Sequence, residues 1–186
     1  WIDIYLKLTG WEMELDLHPE LGLKQTIFDQ KRDSNTEFSK YVEKNYLGWV
    51  NSTGHKPILS NEVVDKFVIP ELDKNDSVFL FVIDCMRLDQ WLVMEKYLYD
   101  YFNIKKSYHF SILPTATPYS RNAIFSGLFP SEIEQHYPEL WKKNDDDENS
   151  KNNYEREFLL KLLERRRIKL RNEVKYTKIM DSNFGR

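Results

Sequence analysis

The strongest constraint on the fold is a short apolar run, Ser77–Ile83, which has the sequence SVFLFVI and is followed directly by Asp84. The run is rich in β-branched and aromatic residues, and polar residues bound it on both sides. Such a run is typical of a strand buried on both faces of a parallel sheet. Apolar residues then recur at helical spacing over Leu88–Phe102, and Tyr108–Leu113 fits a second strand. The pattern therefore predicts an α/β domain over residues 76–186.

The residues before this domain have the periodicity of helices. In the first stretch, apolar side chains recur at alternating steps of three and four, which places them on one helical face; they are Trp1, Ile4, Leu8, Trp11 and Leu15. A second helical stretch follows Gly22, and a short third one begins at Ser60 or Asn61 and ends at Pro70. Because no strand pattern interrupts them, we predict an all-α helical bundle over residues 1–75.

Two further helices are expected within the α/β domain. The first covers Tyr119–Leu128 and ends at Gly127, and the second is amphipathic and covers Tyr154–Arg171. The basic stretch Arg165–Arg167 contacts either a phosphate or only solvent, and a solvated face is the commoner use of such residues. The acidic run at 144–153 is either a solvated insertion or a cation site, and insertions of this composition are usually solvated.

Composition excludes several classes of protein. The 27 basic and 30 acidic side chains give a net charge of −3, which argues against a broad basic surface for nucleic acid. No apolar run approaches the ~18 residues of a membrane span. Cys85 is the single cysteine, so an intramolecular disulfide and a multi-thiolate metal site are excluded, and a reducing cytoplasm is expected. Since the sequence begins at Trp1 and ends at Arg186, we expect it to be a piece of a longer protein.

Residues near the predicted strand ends are the candidates for chemistry. Open α/β sheets bind ligands at the carboxyl ends of their strands, so Asp84 is placed either to hold a metal or to cap the following helix. Thr117, before Pro118, is either a helix N-cap or a nucleophile at the positive end of a helix dipole. Thr115 is the second choice of nucleophile. Arg121 holds an anion or pairs with a carboxylate.

Two segments together carry a family resemblance. VFLFVIDCMR at 78–87 and LPTATPYSRNAIFSG at 113–127 resemble the alkaline-phosphatase superfamily, and more narrowly its PglZ domain in response regulators of the PorX type. The resemblance implies an alkaline-phosphatase-like α/β sandwich, incomplete here, preceded by a helical linker over residues 1–75. It also implies an upstream receiver domain, a partner histidine kinase, and a role in a two-component system that controls type IX secretion.

The resemblance assigns roles to three of the candidates. Asp84 becomes a metal ligand, Thr117 the nucleophile that also contacts the metal, and Arg121 the arginine of the nucleophile helix that supports its loop. Thr117 and Arg121 are thus the expected catalytic residues. The family implies Zn²⁺ as cofactor and hydrolysis of phosphodiesters, including oligonucleotides.

The sequence departs from the family pattern after Gly127. No Asp-x-x-x-His or equivalent cluster follows, His136 stands alone, and Asp181 lies in a polar terminal stretch. A catalytic zinc takes about three protein ligands, so the remaining ligands are expected downstream of this chain. We expect this piece to be inactive alone and the intact protein to be active.

Two other functions stay open. One is a non-catalytic scaffold that keeps the superfamily pocket and regulates by binding a partner protein or by forming a homodimer. In that case the tryptophans of the helical region, such as Trp11 and Trp49, supply a contact surface rather than core. The other is a phosphotransferase, which shares the nucleophile and differs in the acceptor.

Overall fold

The chain separates into two compact units, each of which combines two stretches of sequence. A computed structural model describes residues 1–19, 22–52, 54–74, 77–141 and 152–179. The first unit consists of residues 1–57 and 81–108, and the second of residues 58–80 and 109–186. The predicted division between residues 75 and 76 falls at neither of these limits, and both residues lie outside the described ranges. That division therefore stays a prediction.

The first unit is built from two long helices and one short one. These are α1 (Ile2–Leu17), α2 (Lys24–Asn51) and α4 (Leu88–Met94), and a 3₁₀ turn over Glu95–Tyr97 extends the last of them. Helix α1 packs against both α2 and α4. The helices predicted from periodicity before Asn51 are confirmed, and α1 ends where His18 and Pro19 break the apolar pattern.

Aromatic rings hold the start of α1 to α2. Trp1 lies edge-on to Phe38 with ring centroids 5.4 Å apart, and it also contacts Tyr41 at 5.8 Å. Tyr41 in turn contacts Trp49 at 5.4 Å, and Trp49 is buried. Aromatic pairs at these separations stabilise by ~0.5–1.5 kcal/mol beyond their buried area. Trp11, by contrast, is more than half exposed, so only part of the predicted apolar face forms core.

The second unit contains the remaining helices. Short turns at Ser60–Glu62 and Val64–Val68 lead into α3 (Ile69–Leu72), and α5 (Thr117–Ser126), α6 (Pro130–His136) and α7 (Glu155–Arg165) follow. Helix α5 packs against α7 and the Ser60–Glu62 turn. The core of this unit is formed by side chains of α5, α6 and α7 together with one residue beyond α6, namely Phe125, Ile133, Phe158 and Trp141. The helices predicted at 119–128 and 154–171 are both present, the second of them shorter than expected.

The two predicted strands do not form. Within the described ranges, backbone pairing of the β type is limited to one isolated parallel bridge between Leu59 and Phe110, in which the Phe110 amide donates to the Ile58 carbonyl at 2.8 Å. The run at 77–83 has no regular secondary structure and is open to solvent, with Phe79 80% and Phe81 78% exposed. A strand needs a neighbour to take up its backbone donors and acceptors, and no ladder runs beside this segment. The described residues are therefore helical, and they do not show the α/β sandwich.

Helices α5 and α7 run in the same direction and touch closely at their carboxyl ends. Gly127 ends α5 in the left-handed conformation, with φ 65°, which glycine adopts at little energetic cost. A methyl group built on Gly127 would lie 2.7 Å from Cδ1 of Leu162, a fully buried side chain of α7. Beside it, Arg165 Nη2 donates to the Ser126 carbonyl. Glycine at this position therefore allows the two helices to pack.

Replacing Gly127 with alanine tests this contact. Gly127→Ala adds left-handed backbone strain and a clash with Leu162, so it should lower the free energy of unfolding by about 2–4 kcal/mol in urea titrations. Gly48→Ala is the matched control, because Gly48 lies inside α2 and a methyl group there meets nothing within 4 Å. It should raise stability by ~0.5–1 kcal/mol. Equal stability of Gly127→Ala and wild type would contradict the packing described.

Candidate active site

Thr117 is the first residue of α5, and its side chain is half-buried. The flanking residue Ala116 occupies the N-cap position that the sequence assigned to Thr117, and no side chain caps the helix by a hydrogen bond. The amides of Tyr119 and Ser120 both donate to the Ala116 carbonyl at 3.0 Å, and Pro118 has no amide hydrogen. The capping role that competed with a chemical role for Thr117 is therefore not observed.

Three serine hydroxyls tie the first turn of α5 to two other segments. Ser120 Oγ lies 2.7 Å from Ser111 Oγ and 3.2 Å from Ser60 Oγ. Ser60 is fully buried and accepts the amide hydrogen of Ile112 at 3.1 Å. If Ser60 donates to Ser120, Ser120 to Ser111, and Ser111 to the Ile112 carbonyl at 3.4 Å, each hydroxyl is satisfied. Sequence reasoning missed this network because isolated serines have no periodic pattern.

Arg121 makes a buried ion pair with Glu155 at the start of α7. Its Nε donates to Oε1 of Glu155, and the two side chains are 18% and 4% exposed. The other carboxylate oxygen of Glu155 accepts a hydrogen bond from the Tyr176 hydroxyl. Burial, and then the neighbouring Glu155 carboxylate, raise the pKa of Tyr176 well above its usual range. The sequence predicted that Arg121 binds an anion or pairs with a surface carboxylate. In the structure it pairs with a carboxylate, but that carboxylate is buried.

Asp84 lies in the first unit, whereas Thr117 and Arg121 lie in the second. Its side chain is exposed, and Oδ1 accepts the amide hydrogen of Cys85 at 2.9 Å within a turn. Cys85 has φ 58°, a conformation that is uncommon outside glycine. The helix that follows begins at Leu88, so Asp84 does not cap it. The cap role that competed with metal binding for this residue is therefore not observed.

Two of the other polar residues singled out in the sequence are exposed, and the rest lie mostly outside the described residues. Thr115 is exposed in the loop before α5, and His136 is exposed at the end of α6. Asp181 and most of the acidic run at 144–153 lie outside the described residues. In the part of the chain that the structure describes, no three His, Cys, Asp or Glu side chains form a group that could hold a metal ion.

Two residues of the basic stretch at the end of α7 make internal contacts. Besides its bond to Ser126, Arg165 donates to the Tyr137 hydroxyl at 3.0 Å. Arg166 pairs with Asp65 through Nε at 2.8 Å and through Nη2, and this pairing raises the pKa of Arg166. These two arginines therefore hold α7 to neighbouring segments rather than forming an open phosphate site.

Comparison with known families gives two matches along the chain. Residues 1–50 match the PorX response regulator linker domain. Residues 63–186, about two thirds of the chain, match the BREX system PglZ alkaline phosphatase-like domain. A comparison with curated proteins found no match.

The chain belongs to the PglZ alkaline phosphatase-like family. The linker match ahead of this domain is the arrangement of PorX-type response regulators, as the sequence resemblance implied. The two matches together fit an output region of a response regulator that contains an alkaline phosphatase-like domain. No helix among the described residues is long and apolar enough to cross a membrane.

The serine network predicts a loss of stability when Ser60 is replaced. Ser60→Ala removes the acceptor of the buried Ile112 amide and should lower the free energy of unfolding by about 1–3 kcal/mol in urea. Ser131→Ala, at an exposed position of α6, is the control and should stay within about 0.5 kcal/mol of wild type. If both variants unfold at the same urea concentration, Ser60 is not the anchor described.

The raised pKa of Tyr176 predicts that the folded protein loses stability at alkaline pH. Because its pKa is raised in the folded state, its contribution is complete below about pH 10, the ordinary tyrosine pKa, and is lost as pH rises above it. Tyr176→Phe has no proton to lose, so its unfolding free energy should fall less steeply over that range. Urea titrations at a series of alkaline pH values measure this, and identical slopes for the two proteins would contradict it.

Proposed function

We propose that the intact protein is a zinc-dependent phosphodiesterase in which Thr117 is the nucleophile. The observation that carries the proposal is the position of Thr117 in a PglZ-family chain, as the first, half-buried residue of a helix held from its second turn by Arg121 and Glu155. The substrate class is phosphodiesters, including oligonucleotides. The α/β sandwich of the superfamily, completed in the intact protein, is part of this proposal.

The proposed reaction has two displacements at phosphorus. Thr117 Oγ attacks the phosphorus atom, a P–O bond forms to threonine, and the bond to the leaving alcohol breaks. Water then attacks the phosphorus of this threonine-linked intermediate and the P–O bond to threonine breaks. A phosphate monoester is released, and a proton from the water restores the Thr117 hydroxyl. A threonine hydroxyl is a weak nucleophile and requires activation by a base or a metal. The phosphotransferase alternative shares the first displacement and replaces water by another acceptor in the second.

The residues described here do not by themselves fit a catalytic zinc. Such a site needs about three protein ligands and one open position, and this chain offers Asp84 and Thr117 toward it. Among the described residues, no group of three His, Cys, Asp or Glu side chains could supply the remaining ligands. In this superfamily a bound metal would activate the nucleophile and neutralise charge at phosphorus.

The cellular context is also proposed. The linker match supports a receiver domain ahead of this region, with a histidine kinase that phosphorylates it. We propose a cytoplasmic location and a role in control of type IX secretion. These assignments rest on the relationship to PorX-type regulators.

Hydrolysis of an aryl phosphodiester by the intact protein tests the proposal. With zinc added, wild type should turn over, and Thr117→Val should lose at least about 10³-fold in kcat/KM because the nucleophile is gone. Asp84→Ala should lose activity and also retain less zinc when the metal content of the purified protein is measured.

Thr115→Val is the matched control, since it removes the neighbouring hydroxyl of the same loop and should leave activity near the wild-type value. Loss of activity in Thr115→Val with full activity in Thr117→Val would move the nucleophile to Thr115. Absence of turnover in wild type, or equal turnover in Thr117→Val, would reject the enzyme and favour the non-catalytic scaffold.

A further inference from the structure

Glu155 is the most buried charged side chain among the described residues. It is the first residue of α7, and its side chain is 4% exposed. Arg121 is 34 residues earlier and Tyr176 is 21 residues later, and each donates to a different oxygen of the same carboxylate. A buried carboxylate is stable only when a cation and hydrogen bonds compensate it. Three separate segments therefore meet at this one group.

The carboxylate contacts the helix that carries Thr117. Residues four positions apart lie on the same face of a helix, so Arg121 lies one turn beyond Thr117 on that face. Its guanidinium is committed through Nε to Glu155. The first turn is further held by Asn122, which donates to the Pro118 carbonyl at 2.8 Å. The position of the Arg121 side chain is thus coupled to the start of α5.

The contacts at the far end of α5 allow α7 to act as a rigid support. Arg165 donates to the Ser126 carbonyl there, and Leu162 lies against Gly127. Glu155 holds α5 at its second turn, through Arg121, and the other contacts hold its end. These attachment points lie at opposite ends of α7 but only five residues apart on α5, at Arg121 and Ser126. Together with the contacts of Ser120 in the first turn, they fix the direction of α5.

We infer that Glu155 is a positioning residue that, through Arg121, fixes the first turn of α5 and so the place of the Thr117 hydroxyl. The inference rests on the proposed function for its effect on turnover, but its structural part does not. Arg121 then acts as a positioning residue as well, because the group its Nε holds is the Glu155 carboxylate rather than a substrate anion. Tyr176 also holds the Glu155 carboxylate, because its hydroxyl donates to the second carboxylate oxygen.

Glu155→Gln in the intact protein tests the inference by two readouts. Glutamine keeps the size of the side chain and removes the charge that holds Arg121. Hydrogen exchange of the amides at 119–122 should become at least about tenfold faster. With the aryl phosphodiester and zinc, kcat should fall by about 10²-fold as the hydroxyl is misplaced, while KM stays within about twofold.

Glu157→Gln is the matched control. Glu157 is also in the first turn of α7 and half-buried, so its replacement removes a charge of the same helix without touching the Arg121 pair. Its exchange rates and kcat should match wild type. If Glu155→Gln does not fold, Glu155→Asp keeps the charge but shortens its reach, and it should show the same two effects in smaller degree.

The outcomes separate the inference from the proposed function. Unchanged exchange at 119–122 in the Glu155 variant would overturn the inference whether or not the protein is an enzyme. Faster exchange with a kcat equal to that of Glu157→Gln would overturn its catalytic part. If wild type shows no turnover, the proposed function fails, and the exchange measurement alone decides whether Glu155 positions α5.

Discussion

The ion pair between Arg121 and Glu155 is the interaction on which the arrangement of the second unit depends. Both groups are largely removed from water, so each would be strongly destabilising without the other. The pair joins the helix that carries Thr117 to α7, and the Tyr176 hydroxyl joins a third segment to the same carboxylate. Phe125 and Phe158 pack in the apolar core and stabilise the unit. Apolar packing is less directional than a hydrogen-bonded ion pair, so it orients the helices less strictly. The ion pair therefore fixes the second turn of α5 to α7, beside the serine hydrogen bonds that hold its first turn.

The apolar run at 77–83 shows how far a local pattern can predict structure. Its composition favours a buried strand, yet it is exposed in the structure, because burial and a hydrogen-bonded ladder both require neighbouring segments. The helices were predictable since their hydrogen bonds close within one segment. Gly127, for example, was expected to end α5 and does so. Local hydrogen bonding explains why the helices were predicted better than the strands.

In the candidate site, too, some residues could be predicted from the sequence and others could not. The sequence predicts Thr117, Arg121 and Asp84 as site residues, and the two family matches agree with the resemblance on which that prediction rests. It does not predict Glu155, Ser60 and Tyr176, because no spacing connects them to Thr117. They are found only through contacts between residues far apart in the chain.

The sequence by itself determined the family, the helical periodicity and the motif that contains Thr117, since each of these is written in consecutive or regularly spaced residues. Only the tertiary structure decided the partner of Arg121, the first residue of α5 and the absence of a strand at 77–83 in this chain. The physical reason is that a buried charge and a strand both take their stability from groups distant in sequence. Helix formation depends mainly on near neighbours, whereas the choice of a carboxylate for Arg121 depends on which one the fold buries beside it.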